Sequence, residues 1–150
     1  MRFYNTLFFF ILFLLFSCGD DDGNSNLNLQ SKLIDRWELI RFQNSDGTNI
    51  VEPQTGETPI ILNFLENLDF HATTTSNEIN GNFTTEQEKL IITNFATTLV
   101  SETDWGIMFY EALEAARDPN SLEIIMEFSV SSETLRLSYN ENKDMVLIRR

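Results

Sequence analysis

Short runs of alternating apolar and polar residues follow one another from Leu33 to the C-terminus. Such alternation predicts strands of a sheet with one buried and one solvated face. Turn-forming residues, for example at 45–47 and 66–69, separate the runs. We predict an α+β, mainly β fold in which a curved antiparallel sheet forms a partial barrel. The predicted strands are 37–42, 60–64, 70–74, 81–85, 90–95, 122–130, 135–139 and 145–148.

One segment shows helical instead of strand periodicity. Between Ser101 and Asp118, apolar residues recur every three or four positions, which predicts one amphipathic helix with its apolar side in the core. Ser101 or Thr103 is suited to cap the start of this helix, and the Asp118-Pro119-Asn120 sequence ends it. The apolar stripe consists of Trp105, Met108, Phe109, Ala112, Leu113 and Ala116.

The N-terminus has neither pattern. Residues 7–16 are an unbroken apolar run preceded by the single charge of Arg2. A membrane span needs about 20 apolar residues, so this shorter run is typical of a signal peptide, which we assign to residues 1–17. The end of the run, Leu15-Phe16-Ser17-Cys18-Gly19, resembles a lipobox, in which the cysteine thiolate takes up a diacylglycerol. We therefore predict that Cys18 is the lipidation site and that the protein is attached to a membrane through lipid.

Residues 18–30 are predicted to be the lipidated cysteine and an acidic flexible tether, and residues 31–150 the folded domain. Asp20, Asp21 and Asp22 follow the cysteine almost directly. This run resembles the export signal of lipoproteins of the Bacteroidetes, and the resemblance implies an outer-membrane protein that is exposed on the cell surface. The alternative is that the three aspartates belong to a solvated linker without a signal function.

Charge excludes one class of partner. The chain has a net charge of −13, and removing the leader takes away Arg2 but no acidic residue, which leaves nine basic and 23 acidic residues, or −14. Such a surface repels phosphate groups, so nucleic-acid binding is not expected. Attachment to anionic headgroups must then come from the lipid and not from a basic patch.

The domain resembles the META or HslJ-like family of bacterial envelope proteins, over about residues 33–150. The family pattern of a strand ending in Gly-Cys-Asn, followed by Gly-x-aromatic, is matched by Asn77, Gly81 and Phe83. The other matching segments are 60–64, 91–98, 109–113 and 135–137. The resemblance implies a non-catalytic interaction domain or a domain related to envelope stress. Ser76 and the region of Ser101 replace two cysteines of the family, so the paired-thiol role of some relatives is not available here.

Asn77 and Gly81 are interpreted as fold determinants, Gly81 in a turn or bulge with positive φ and Asn77 as a hydrogen-bonding group for the local backbone. His71 is the single histidine, and neither a nucleophile nor further metal ligands stand near it in a recognisable spacing. We predict no catalytic, metal or cofactor site and no enzyme activity.

An alternative function is a lipocalin-like carrier of a small apolar ligand, because such lipoproteins also begin near a tryptophan strand like 33–39. A carrier barrel should have an apolar lumen and a helix packed outside it. A META-type domain should instead bury Trp105, Phe109 and Leu113 of the helix in its core. A partner protein in the envelope is expected for the META interpretation, and its identity and any small-molecule ligand are left open.

Overall fold

A computed structural model describes residues 29–150 of the chain. A short helix α1 at 29–33 is followed by eight strands, and a second helix, α2 (Asp104–Ala115), lies between the fifth and the sixth strand. The strands are β1 (Asp35–Asn44), β2 (Ile61–Phe64), β3 (Asp69–Thr73), β4 (Glu78–Glu86), β5 (Lys89–Thr97), β6 (Ile124–Val130), β7 (Thr134–Asn140) and β8 (Lys143–Arg149). All eight predicted strands and the predicted helix are present.

The strands form a closed antiparallel barrel in which each strand pairs with the next one in the chain. β8 also pairs with β1, from Trp37 opposite Arg149 to Asn44 opposite Lys143. The prediction of a partial barrel was therefore wrong, because the barrel is closed. Alternation within a strand shows which face is buried, but it holds no information on the pairing of the first strand with the last.

The lumen of the barrel is filled by side chains. Rows of paired residues such as Trp37, Leu62, Ala72 and Ile79 point inward and are almost completely buried. Aromatic rings pack against each other there, and the centroid of the Phe64 ring lies 5.2 Å from that of Phe70 and 5.0 Å from that of Phe83. The other inward-facing side chains are Leu39, Leu90, Ile92, Ile124, Met126, Phe128, Leu135, Leu137, Met145 and Leu147.

The two helices lie at opposite ends of the barrel, because strand connections alternate between the ends. We call the end with α1 and the chain end Arg150 the base, and the end with α2 the rim. The rim comprises the connections 45–60, 74–77, 98–123 and 141–142. At the base, the indole Nε1 of Trp37 donates a hydrogen bond of 2.8 Å to the Leu33 carbonyl. The helix α1 occupies residues 29–33, and Leu33 at its end is fully buried.

The second helix covers the lumen at the rim. Thr103 is its N-cap, and the threonine hydroxyl accepts a hydrogen bond from the Gly106 amide, whereas the alternative cap Ser101 is exposed. Phe109 is fully buried, and the Trp105 ring packs edge-on against Phe42 at a centroid distance of 4.9 Å. The predicted apolar stripe thus faces the core of the barrel. Among residues 29–150, no helix is both long enough and apolar enough to cross a membrane.

Candidate functional site

The residues predicted to anchor and export the protein lie outside the described part of the chain. These are Cys18 and the acidic residues Asp20, Asp21 and Asp22, together with the signal peptide 1–17 and most of the tether. The lipidation site and the export signal therefore stay predictions.

His71 lies on the outward face of β3 and is half buried. Its Nδ1 is 2.5 Å from Oδ1 of Asn80, the residue directly opposite on β4. Within residues 29–150, no group of three or more potential ligands is placed to hold a metal ion. The contact of His71 is therefore a cross-strand pair of side chains on the outer surface of the sheet.

The side chain of Asn77 joins two rim segments, the turn 74–77 and the connection 98–123. Its side-chain amide donates to the Val100 carbonyl at 2.8 Å and to Oε1 of Glu102 at 2.6 Å. Its Oδ1 accepts from the Val100 amide at 2.7 Å and from the Thr98 hydroxyl at 2.9 Å. Asn77 is buried, so these four bonds fix the segment 98–102 against the turn between β3 and β4. The interpretation of Asn77 as a backbone-binding residue agrees with this geometry, although the backbone it binds is distant in sequence.

Glu102 is held at the start of α2 by one of its two carboxylate oxygens. Oε1 accepts hydrogen bonds from the Asn77 amide and from the Thr74 hydroxyl. Oε2 is buried and has no hydrogen-bond partner in the protein. Leaving a buried acceptor without a partner is costly, so Oε2 is an unsatisfied group at the start of α2.

Tyr110 lies next to this carboxylate. The Tyr110 hydroxyl is 2.7 Å from the Thr97 hydroxyl. Partial burial raises the pKa of Tyr110 above its usual value, the negative charge of Glu102 raises it further, and the hydrogen bond with Thr97 opposes both effects. Tyr110 is therefore a neutral hydrogen-bonding group at neutral pH.

Apolar side chains are exposed above this polar cluster. Leu99 is 93% exposed and Ile107 46% exposed, and Val100 lies between them on the surface. They form the wall of a cavity of about 280 Å³, whose lining also includes Glu102 and Tyr110. A contiguous exposed apolar surface of this kind marks an interaction site more often than single exposed residues do.

A second cavity, of about 340 Å³, lies on the other side of Glu102. The segment 51–57 and the start of α2 line it, including Val51 and Trp105. Trp105 is only 4% exposed, and its indole Nε1 is a buried donor without a hydrogen-bond partner. We call the two cavities together with Glu102 the rim site.

Two larger cavities, of about 580 and 470 Å³, lie near Ser45 and the turn between β7 and β8. Next to them Asp144 is fully buried, although it lies on the outer face of the barrel. Its carboxylate accepts from the hydroxyls of Ser138 at 2.7 Å and Ser45 at 3.1 Å, and Arg136 Nε lies 3.3 Å away. These contacts join the connection after β1 to β7 and β8, so Asp144 has a structural role there.

Sequence reasoning did not identify the rim site. Asn77 was singled out, whereas Glu102 was not. Two signals were present: the apolar pair Leu99-Val100 in a connection, and Ile107 on the helix face opposite to the buried stripe. Neither signal shows that these residues meet around one carboxylate, because that depends on the tertiary structure.

Comparisons with known proteins give information on the fold. No protein-family model matches the chain, and no protein of curated function is significantly similar to it. One similar solved structure is a lipocalin-like protein from Bacteroides uniformis, with 17% identity and a TM-score of 0.53, covering 79% of this chain and 99% of that chain. An NMR structure of a protein from Burkholderia xenovorans has 18% identity and a TM-score of 0.61, covering 83% of this chain and 88% of the other.

A DUF4847 family protein from Bacteroides vulgatus has 16% identity and a TM-score of 0.54, with 77% of this chain and 91% of that chain covered. None of these three descriptions names a META domain, and the META resemblance stays a prediction. The neighbours support the alternative, lipocalin-like interpretation of the fold. The chain therefore has a closed, lipocalin-like antiparallel barrel.

Proposed function

We propose that this protein is a lipid-anchored protein of the bacterial envelope, in which a lipocalin-like barrel is a non-catalytic binding module. The binding site in this proposal is the rim site and not the lumen. The observation that supports it most directly is the filled lumen combined with exposed apolar residues at the rim.

An eight-stranded barrel is just wide enough either to be filled by its own side chains or to hold one small ligand. Here five of the largest fully buried side chains are Trp37, Phe64, Phe70, Phe83 and Phe109. A luminal ligand would have to displace such rings, which would cost the free energy of their close packing. A luminal carrier function is therefore the second candidate, supported by the lipocalin-like fold of the solved neighbours.

The groups at the rim favour binding over catalysis. The polar groups near Glu102 are the side-chain amide of Asn77 and the hydroxyl of Thr74. The hydroxyls of Thr97 and Tyr110, which are hydrogen-bonded to each other, lie beside them. The single histidine, His71, pairs instead with Asn80 on the outside of the sheet. General acid–base or nucleophilic chemistry requires an activated pair in hydrogen-bond reach, and this arrangement supplies hydrogen bonds and apolar contact surface.

The remaining part of the proposal concerns the localisation of the protein. Lipidation at Cys18 would attach it to the outer membrane, and the Asp20–Asp22 run would direct it to the cell surface. The META resemblance adds a proposed connection with envelope stress, and a protein partner in the envelope fits that connection.

The experiment is site-specific photo-crosslinking in intact cells. A photoreactive amino acid replaces Leu99 in the rim site, and the matched control replaces Leu65, which is 39% exposed in the turn between β2 and β3 at the base. We expect adducts from position 99 and few from position 65. Equal labelling at both positions, or native mass spectra that show a small apolar molecule bound while position 99 gives no adduct, would favour the luminal carrier instead.

A further inference from the structure

The two cavities of the rim site share one residue and one sign of charge. Glu102 lines both of them, and Glu52, Glu57 and Asp104 line the larger one, while Glu111 lines the smaller. Among the described residues that line either cavity there is no lysine, arginine or histidine. The electrostatic potential at the site is therefore negative, on a protein that is already strongly acidic.

The acidic residues coincide with exposed apolar side chains. Leu99, Val100 and Ile107 lie on one side of Glu102, and the exposed Val51 lies on the other side. An occupant that only neutralised the carboxylates would leave these apolar groups in water. An occupant that was only apolar would bury the carboxylates without a partner, which is unfavourable.

Two unpaired polar atoms add an independent observation. Oε2 of Glu102 lacks a donor, and Nε1 of Trp105, whose side chain is more than nine-tenths buried, lacks an acceptor. Both residues line the larger cavity. Both atoms are enclosed, so a basic side chain or a backbone carbonyl of an occupant reaches them only after a neighbouring side chain moves.

The shape of the site fits an extended polypeptide. The rim site consists of two neighbouring open cavities of about 280 and 340 Å³ on either side of Glu102. Pockets for small ligands are concave and bury most of the ligand's surface, whereas these two cavities are open. Each of them is large enough for one or two side chains of a chain that crosses the start of α2.

From the geometry and charge we infer that the rim site binds a polypeptide segment in which apolar residues stand next to lysine or arginine. Its apolar side chains pack on Leu99, Val100 and Ile107, and a basic side chain pairs with Glu102 and Glu111. This inference rests on the proposed function, because it names the class of partner for the same rim site.

The test uses the protein as the producing cells process it from the full chain. The protein is held in nanodiscs of neutral lipid, and empty nanodiscs are the reference. The probe is a short labelled peptide of alternating leucine and lysine. Two control peptides have leucine replaced by serine, or lysine replaced by glutamate. We expect the leucine–lysine peptide to bind at least about tenfold more tightly than either control, and its binding to weaken as salt is added.

Variants locate the binding on the protein. Removing an exposed charge by Glu111→Gln should weaken binding about two- to fivefold, and the double change Leu99→Ser with Ile107→Ser should weaken it about tenfold or more. Glu102→Gln should weaken binding as well. Glu111 is the better position for the test, because it lies on the exposed face of α2 and its replacement is less disruptive to folding. The matched controls Leu65→Ser and Glu133→Gln, in turns at the base, should leave binding unchanged.

Two failures can be told apart. If the rim variants weaken the binding of all three peptides equally, the rim is a binding site but the inferred partner class is wrong. If the rim variants have no effect on the leucine–lysine peptide, or if this peptide does not bind, the inference is overturned. The proposed function fails separately, when crosslinking from position 99 in cells gives no adduct.

Discussion

At Gly81 the space left by a neighbouring strand decides which residue fits. The sequence predicts a turn or bulge with positive φ there, and β4 does shift its register against β5 between Asn80 and Asn82. The φ of Gly81, however, lies outside the left-handed region, unlike that of Gly47 and Gly56. Glycine is required because a Cβ at position 81 would lie 2.8 Å from the Thr93 carbonyl oxygen. A bulge is predictable from a glycine in a strand, whereas the close approach of Thr93 is not.

Gly81→Ala is predicted to lower the free energy of unfolding by about 1 to 3 kcal/mol, the usual cost of forcing a methyl group into a packed site. Urea denaturation measures it. Gly56→Ala is the comparison, because nothing lies within 4 Å of a Cβ at that position and only the positive φ is strained. A Gly81→Ala protein as stable as the wild type would show that Thr93 moves away at no cost.

Two tyrosines are predicted to make stability depend on alkaline pH. Burial raises the pKa of Tyr110 and of Tyr139, with added contributions from Glu102 and from Asp144 respectively. The native state then keeps protons that the unfolded state, with a tyrosine pKa of about 10, has already released. This stabilisation is complete below about pH 10 and decreases as the pH rises through the raised values.

The measurement is the free energy of unfolding as a function of pH above neutrality, with tyrosinate absorbance recorded in parallel. Wild type should lose stability more steeply above about pH 10 than the double variant Tyr110→Phe with Tyr139→Phe. Lysines titrate in the same range and affect both proteins equally. Identical slopes in the two proteins would contradict the assignment.

At the scale of elements, periodicity predicted α2 well, because its apolar stripe has a clear spacing and its ends have recognisable residues. The stripe residues Trp105, Phe109, Ala112 and Leu113 are all buried. The short helix 29–33 was not predicted, since one and a half turns are too few to show a period. Its stability comes from tertiary contacts, such as the burial of Leu33 and the hydrogen bond from Trp37.

Phe109→Ala is predicted to cost about 3 to 5 kcal/mol, because the ring is fully buried where α2 covers the lumen. Ile107→Ala on the exposed side of the same helix should change stability by less than about 0.5 kcal/mol. Thermal and urea unfolding of both variants measure these changes in the free energy of unfolding. If Phe109→Ala melts like the wild type, the stripe is not part of the core.

At the scale of the whole molecule, the order of strands along the chain is also their order around the barrel. Such a topology agrees with the predicted curved antiparallel sheet, but two features depend on side chains that meet only after folding. Closure is one, since it needs β1 and β8 to share a register. The rim site is the other, since Asn77, Val100 and Glu102 come together from different connections.

The proposed membrane attachment is tested with the chain that includes residues 1–17. Cys18→Ala is predicted to abolish incorporation of a fatty-acid analogue, because the thioether cannot form without the thiol. Undiminished labelling of this variant would overturn the lipoprotein prediction.

Changing Asp20, Asp21 and Asp22 together to alanine should leave an acylated protein that protease added to intact cells no longer cuts. The matched control changes Asn24, Ser25 and Asn26 to alanine in the same predicted tether. If the aspartate variant and the wild type are cut equally, the three aspartates belong to a linker. Only the prediction of a membrane anchor then stands.

The seam between β1 and β8 has a consequence for the biogenesis of the protein. Asp35 and Arg149 form an ion pair at 2.5 Å, and the Arg150 amide donates to the Arg36 carbonyl, so the last residues complete contacts with the first strand. Contacts between such distant parts of a chain form slowly. If the chain crosses a membrane from its N-terminus, as the predicted signal peptide implies, the barrel closes only after β8 has emerged. Until then β1 has one unpaired edge, which is prone to aggregation.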